Sequence, residues 1–266
     1  MYMPAAYTHF SVAREAYTAF PPDLQNRIRP FLSAYFFGAQ GPDFCFFYKP
    51  ATRPNLGSYL HRKGGYDAFC VLKMLSRRDP RLFAYALGYV SHYAADIAFH
   101  PFIYALSGRS KLHHTRLENL FDGYLRARDG KEKTLVAEKY IYRPPDAETR
   151  RELFFLYAVI AAQASFPPFI KTEFLRSISL FNATLPLSFS VFSASDKALL
   201  SDLLNERKRA WSHPASPQKM ENVGAEELYA RSVCNTVRLA EIFSEAVEKN
   251  SVLSRTFFGK NYLTGK

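Results

Sequence analysis

The stretch from Arg81 to His100 is apolar on most of its helical circumference: Leu82, Phe83, Tyr85, Leu87, Tyr89, Val90, Tyr93, Ile97 and Phe99. A helix that is apolar all round is buried on every side, so the rest of the chain has to be built around it. Asp79-Pro80 starts it with a capping carboxylate and a proline at the first helical position. Pro101 is expected to bend or end it. The remaining segments also carry helical periodicity. Phe10 to Phe20 reads as short and mixed, and Asp23 reads as an N-cap, with Pro30 kinking or dividing the helix that follows. Gly38 to Asp43 and Lys49 to Gly57 read as loops. Gly65 to Arg78, His114 to Arg128 and a helix opened by Pro144-Pro145-Asp146 and running to about Phe166 come next. Segments 168–184, 195–210 and 225–249 complete the helical content, and Leu185 to Phe192 is ambiguous. The expected fold class is therefore all-α, a single multi-helix bundle over residues 1–266. Its first half, about 1–130, carries the chemistry and its second half, about 131–266, builds supporting walls.

Composition narrows the function classes. Twelve glycines in 266 residues disfavour a Rossmann or P-loop enzyme. The three cysteines, Cys45, Cys70 and Cys234, show no C-x-x-C spacing and suit a reducing compartment. No secretory signal is visible in Met1 to Phe10, so a cytoplasmic location is expected. The most apolar run, Leu153 to Ala162, is about ten residues, against the roughly 20 a bilayer-spanning helix needs. A net charge of +11 is spread along the chain and leans toward anionic partners.

Polar residues inside the apolar helix demand an explanation. His92, Asp96 and His100 stand at i, i+4 and i+8, which places them on one face. An ionised aspartate on a buried helix is costly unless it is paired or binds a metal. Two flanking imidazoles make metal ligation the cheap solution. His92 and His100 lie about 12 Å apart along the axis, too far for one ion, so at least two ions are expected with Asp96 between them. On the next helix His114 and Glu118 repeat the four-residue spacing, while adjacent His113 points elsewhere. Gly41-Pro42-Asp43 puts a carboxylate at a turn where backbone can approach a site closely. His61 and His9 lie upstream on separate segments, and ligands from separate segments of a bundle converge in its interior. A lone histidine on an apolar face is ordinarily a hydrogen-bonded core residue; the joint pattern is different. A set of N and O ligands rich in imidazole favours zinc. It contains no cysteine, which disfavours a closed structural site. Trp211 and His213-Pro214 are expected to pack or turn.

These motifs resemble the zinc-dependent phospholipase C family, within the wider phospholipase C and P1-nuclease superfamily. They are Tyr7-Thr8-His9, Gly41-Pro42-Asp43, His61, Ser91-His92-Tyr93-Ala94-Ala95-Asp96, His100-Pro101 and His114 through Glu118. Three residues separate Asp96 from His100, a spacing similar to bacterial non-secreted members and to the catalytic domain of glycosylphosphatidylinositol-specific phospholipase D. The resemblance implies an all-helical fold with two or three zinc ions in a central cleft. It implies that Asp43, His61, His92 and Asp96 hold one ion, that His100, His114 and Glu118 hold a second, and that His9 and Asp96 hold a third. The implied activity is phosphoester hydrolysis by a metal-activated water, with Asp43 as the candidate for steering that water. The expected substrate is a phospholipid or another anionic phosphodiester, met by peripheral membrane contact. The alternatives are a P1-type nuclease or nucleotidase acting on nucleic acid at the same cluster, and a non-catalytic helical protein stabilised by metal.

Overall fold

The computed structural model describes residues 6–52, 55–108, 110–130, 145–191 and 196–266. Residues 131–144, where the two expected halves meet, lie outside the described residues, as do 53 and 54 within the expected loop from Lys49 to Gly57. The chain is helical throughout its main body. In order come α1 (Ala6–Ala19), α2 (Pro22–Ile28), α3 (Leu32–Gly38), α4 (Leu56–Arg62), α5 (Gly65–Ser76), α6 (Pro80–Ser107) and α7 (Lys111–Arg128). They are followed by α8 (Ala147–Gln163), α9 (Lys171–Val191) and α10 (Lys197–Leu204). A short antiparallel hairpin, β1 (Trp211–His213) and β2 (Ser216–Glu221), precedes α11 (Ala225–Glu248) and α12 (Arg255–Phe258).

The fold is organised around α6. Asp79 caps it, accepting from the backbone N–H of Arg81 at 2.7 Å, and Pro80 opens it. Its 28 residues span about 42 Å at 1.5 Å per residue. Helices α3, α11, α5, α1, α7 and α8 pack around it, and most of its side chains are buried. The buried apolar side chains form one continuous cluster running from Ala6 to Tyr262, so both halves of the sequence share a core.

Several boundaries differ from the sequence expectation. Pro101 neither ends α6 nor starts a loop; the helix continues to Ser107. Packing on all sides of α6 outweighs the one backbone hydrogen bond a proline removes. Asp23 is not the cap of α2, because Pro22 begins the helix one residue earlier and leaves Asp23 in its first turn. There its carboxylate faces the positive end of the helix dipole. Pro30 divides α2 from α3 through a 3-10 turn, Arg29–Phe31. The segment Phe10 to Phe20 belongs to a full helix that starts at Ala6. The segment 195–210 is only partly helical. Asn205 adopts a left-handed conformation (φ 51°) that stops α10, and the hairpin follows. His213 ends β1 and Pro214-Ala215 makes the hairpin turn, and Trp211 packs on Phe102 at 5.2 Å between ring centres. The backbone is helical through 185–191.

Candidate metal centre

Four helices and one turn deliver the candidate ligands. Helix α6 presents His92, Asp96 and His100 from successive turns. Helix α7, capped by Ser110, presents His114 and Glu118. His61 sits in the last turn of α4, and His9 in the first turns of α1. Asp43 opens a 3-10 turn, Asp43–Phe47, directly after Gly41-Pro42. Asn55 locks α4 to that turn: its carbonyl oxygen accepts from the Ser58 N–H, and its amide donates to the carbonyls of Phe46 and Cys45 at 3.0 and 3.3 Å. Gly41 has φ +54°, and a Cβ there would stand 2.3 Å from the His92 ring. The close backbone approach expected of this glycine is thus made, against His92.

All eight residues singled out from the sequence come together. They fall into three groups of mutually close donor atoms: His9, His92 and Asp96; Asp43, His61 and His92; His100, His114 and Glu118. Asp96 stands between them. Its Oδ1 lies 3.4 Å from His9 Nε2 and 3.7 Å from His100 Nδ1. Its Oδ2 lies 3.2 Å from His92 Nε2 and 3.6 Å from His61 Nε2. Asp43 Oδ1 is 3.1 Å from His61 Nε2 and 3.9 Å from His92 Nε2. Glu118 Oε1 is 3.0 Å from His114 Nε2 and 3.6 Å from His100 Nε2. His92 and His100 belong to different groups. His113 and His213 belong to none.

The hydrogen-bonding state of this cluster fits a metal. Both nitrogens of His92, Nδ1 of His9 and Oδ2 of Asp96 are buried without a hydrogen-bond partner. The His92–Asp96 contact is short but not aligned as a hydrogen bond. Buried polar atoms are otherwise almost always paired, so these donors fit an ion that satisfies several lone pairs at once. His61 Nδ1 lies 2.8 Å from the Gly57 carbonyl. A carbonyl can only accept, so Nδ1 carries the proton and Nε2 offers its lone pair to the cluster.

The electrostatics point the same way. Burial, reinforced by neighbouring His92, lowers His9 to about 4, which keeps its imidazole neutral. Burial alone would raise Asp96, but the imidazoles of His92 and His100 outweigh it and drive the carboxyl far below the usual range. Glu118 is likewise held at about 2 against its burial by His114 and His100. Ionised carboxylates and imidazole in a buried cavity form a centre built for cations.

The centre opens into a cleft of about 560 Å³, solvent at its mouth included. Phe46, Tyr104 and Leu263 form apolar parts of its wall, and Ser58 and Arg62 line it on the α4 side. Phe36, Phe37, Phe44 and Phe47 are core residues, which leaves Phe46 of that phenylalanine-rich segment at the cleft. No ion pair joins Arg62 to a carboxylate among the described residues. Sequence reasoning missed Asp122, the Tyr262 backbone and the cleft-lining residues of α4. Asp122 carried a signal, since it extends the His114, Glu118 spacing by one further turn.

A largely helical fold brings five imidazoles and three carboxylates together in one cluster, in groups of donors that could hold metal ions. A family model described as zinc-dependent phospholipase C matches residues 8–163, a span that includes all eight clustered residues. The chain belongs to the zinc-dependent phospholipase C family. No curated protein and no solved structure matches it significantly.

Proposed function

We propose that this chain hydrolyses a phosphodiester, with a phospholipid as substrate, at a zinc centre held by the eight clustered residues. Asp43, His61, His92 and Asp96 would hold one ion, His100, His114 and Glu118 a second, and His9 with Asp96 a third. Zinc bound there supplies a water acidified to near neutral pH and neutralises charge on the phosphate oxygens. The protein's own contribution is positional. Asp43, buried in the wall of the cleft, accepts a hydrogen bond from the attacking water and orients it toward phosphorus. Arg62 meets the incoming phosphate at the rim. Phe46 and Leu263 face the apolar part of the substrate, and a smaller pocket of about 350 Å³ beside Asp96, open solvent included, with Phe99, Ile103 and Phe121 in its wall, supports a lipid. Membrane contact is peripheral in this reading: among the described residues no helix is long and apolar enough to cross a membrane.

The observation that carries the proposal is Asp96, buried with both oxygens facing imidazoles of different groups and one oxygen without a hydrogen bond. The test measures zinc per chain, then turnover of a phosphatidylcholine dispersion and of single-stranded DNA with zinc supplied. Release of diacylglycerol with two or three zinc ions bound is the expected result. Cleavage of DNA alone would move the protein to the nuclease reading. Bound zinc with neither substrate cleaved would leave the metal-stabilised helical protein, and absence of zinc would overturn the centre itself.

A further inference from the structure

His61 is held by a carbonyl of its own helix, whereas His100 is held from far away in the chain. Its Nδ1 lies 3.0 Å from the backbone carbonyl of Tyr262, a residue 162 positions away and far outside the span matched by the family model. The carbonyl can only accept, so Nδ1 carries a proton and Nε2 is turned toward Glu118, 3.6 Å distant. The other side of the same residue is also engaged. The Tyr262 N–H donates to the backbone carbonyl of His61 at 3.1 Å. That carbonyl sits in the last turn of α4, where no intrahelical donor follows. The next carbonyl, of Arg62, accepts from the Asn261 side chain at 3.1 Å. One short segment therefore caps α4 and fixes His100 together.

The segment is itself firmly seated. Tyr262 is fully buried, its hydroxyl bonds to that of Tyr89 at 3.3 Å, and its ring lies 4.9 Å from Tyr93 and 5.3 Å from His61. The Lys260 N–H donates to the Tyr93 hydroxyl at 3.0 Å, and the Asn261 N–H to the Lys266 carbonyl at 2.7 Å. Gly265, at φ +67°, comes so close to α6 that a Cβ would stand 2.6 Å from the Ile97 carbonyl. Pro101 has no N–H to give that carbonyl, which leaves room for the segment to approach.

We infer that residues 260–266 are a working part of the metal centre, with Tyr262 as a positioning residue acting through its backbone on His100 and His61. Groups that hold a ligand histidine by its second nitrogen set its tautomer and ring plane, and their loss weakens metal binding by about 10- to 100-fold. The inference rests on the zinc reading above.

The experiment compares zinc stoichiometry and affinity, by competition with a chromophoric chelator, in the full chain and three variants. Deletion of residues 261–266 and the substitution Gly265→Val both dislodge the segment; Tyr262→Phe keeps both backbone bonds. The first two are expected to bind zinc about 10- to 100-fold more weakly with helical content retained by circular dichroism. Tyr262→Phe is expected to bind as the full chain does. Equal affinity in the deletion and the full chain refutes the role of Tyr262 and leaves the zinc centre standing. A full chain that takes up no zinc refutes the centre instead. Should both dislodged variants unfold, long-range nitrogen–proton correlation spectra of the zinc-loaded full chain decide. The expected state of His100 is protonated at Nδ1 with zinc at Nε2, and the opposite assignment overturns the inference.

Discussion

Helix α1 carries His9 into the centre, and its first turn is held from outside by one side chain. Asp122 Oδ2 accepts from the Tyr7 N–H at 3.0 Å, while Oδ1 accepts from the Thr8 N–H at 2.8 Å and the Thr8 hydroxyl at 2.6 Å. The two N–H groups are helix N-terminal donors with no partner inside their own helix. Burial pushes the Asp122 carboxyl from an ordinary 3.8 up to about 7, against the pull of the Thr8 and Tyr7 hydrogen bonds. A folded-state pKa above the unfolded one means stability that is complete below pH 3.8 and is lost as pH rises through about 7. Between pH 5 and 8 the loss amounts to roughly 2–3 kcal/mol. Asp122→Asn cannot titrate. Its amide oxygen still serves Thr8, but its NH₂ confronts the Tyr7 N–H and leaves that donor unmet, costing about 1–3 kcal/mol. The wild-type chain is therefore expected to be the more stable at pH 5, with the difference closing or reversing by pH 8. Urea unfolding of both proteins, zinc-free and in matched buffers, reads this difference and cancels every titration they share. A difference that stays constant from pH 5 to 8 would falsify the reasoning, because it would mean that the three donors keep Asp122 ionised throughout.

Gly41→Ala forces a side chain into the left-handed region and against the His92 ring. A loss of more than about 1–2 kcal/mol in thermal or urea unfolding, with weakened zinc uptake, is expected. Asp96→Asn is expected to remove phosphodiester turnover and lower zinc content while circular dichroism stays helical; retained turnover would place the chemistry elsewhere. Zinc binding is expected to release a proton at pH 7. In the zinc-free chain burial lowers His100, but Asp96 and Glu118 outweigh it and lift the imidazole to about 9. Calorimetric binding enthalpy should therefore depend on the ionisation enthalpy of the buffer at pH 7, and this dependence should fade above pH 9. With the sign taken from the raised value, the same group stabilises the zinc-free fold fully below pH 6.5, and that contribution disappears as pH rises through about 9.

How much was legible depends on which atoms do the work. Side chains at i, i+4 spacing on a helix with no polar face announce themselves, because a buried carboxylate needs a partner. That is why His92, Asp96 and His100 could be separated into two groups from spacing alone. Asp122 obeyed the same spacing and was passed over, since its partners are backbone donors of α1 that no residue type marks. The Tyr262 carbonyl left no trace at all, because every residue has one. Pro101 misled for a related reason: its local preference is real, but α6 is packed on all sides and tertiary contacts decide. The hairpin after α10 was lost to a helical reading of 195–210, although Asn205 is a residue type that tolerates the left-handed stop found there.

The composition of the cluster bears on what enters the cleft. In the proposed zinc centre the five imidazoles would ligate as neutral groups, and the three carboxylates would contribute −3. Two zinc ions would bring the centre to +1 and three to +3, in a low-dielectric pocket where the excess is poorly screened. Arg62 adds a further positive charge at the rim. A phosphodiester, with one negative charge, is drawn to such a site, whereas a neutral ester or amide gains nothing from it. The phosphomonoester produced by hydrolysis carries more charge than the diester it came from. In the proposed reaction the same excess that would recruit substrate would therefore hold this product more tightly, and adding ligand carboxylates would relieve the product only by weakening the capture of substrate.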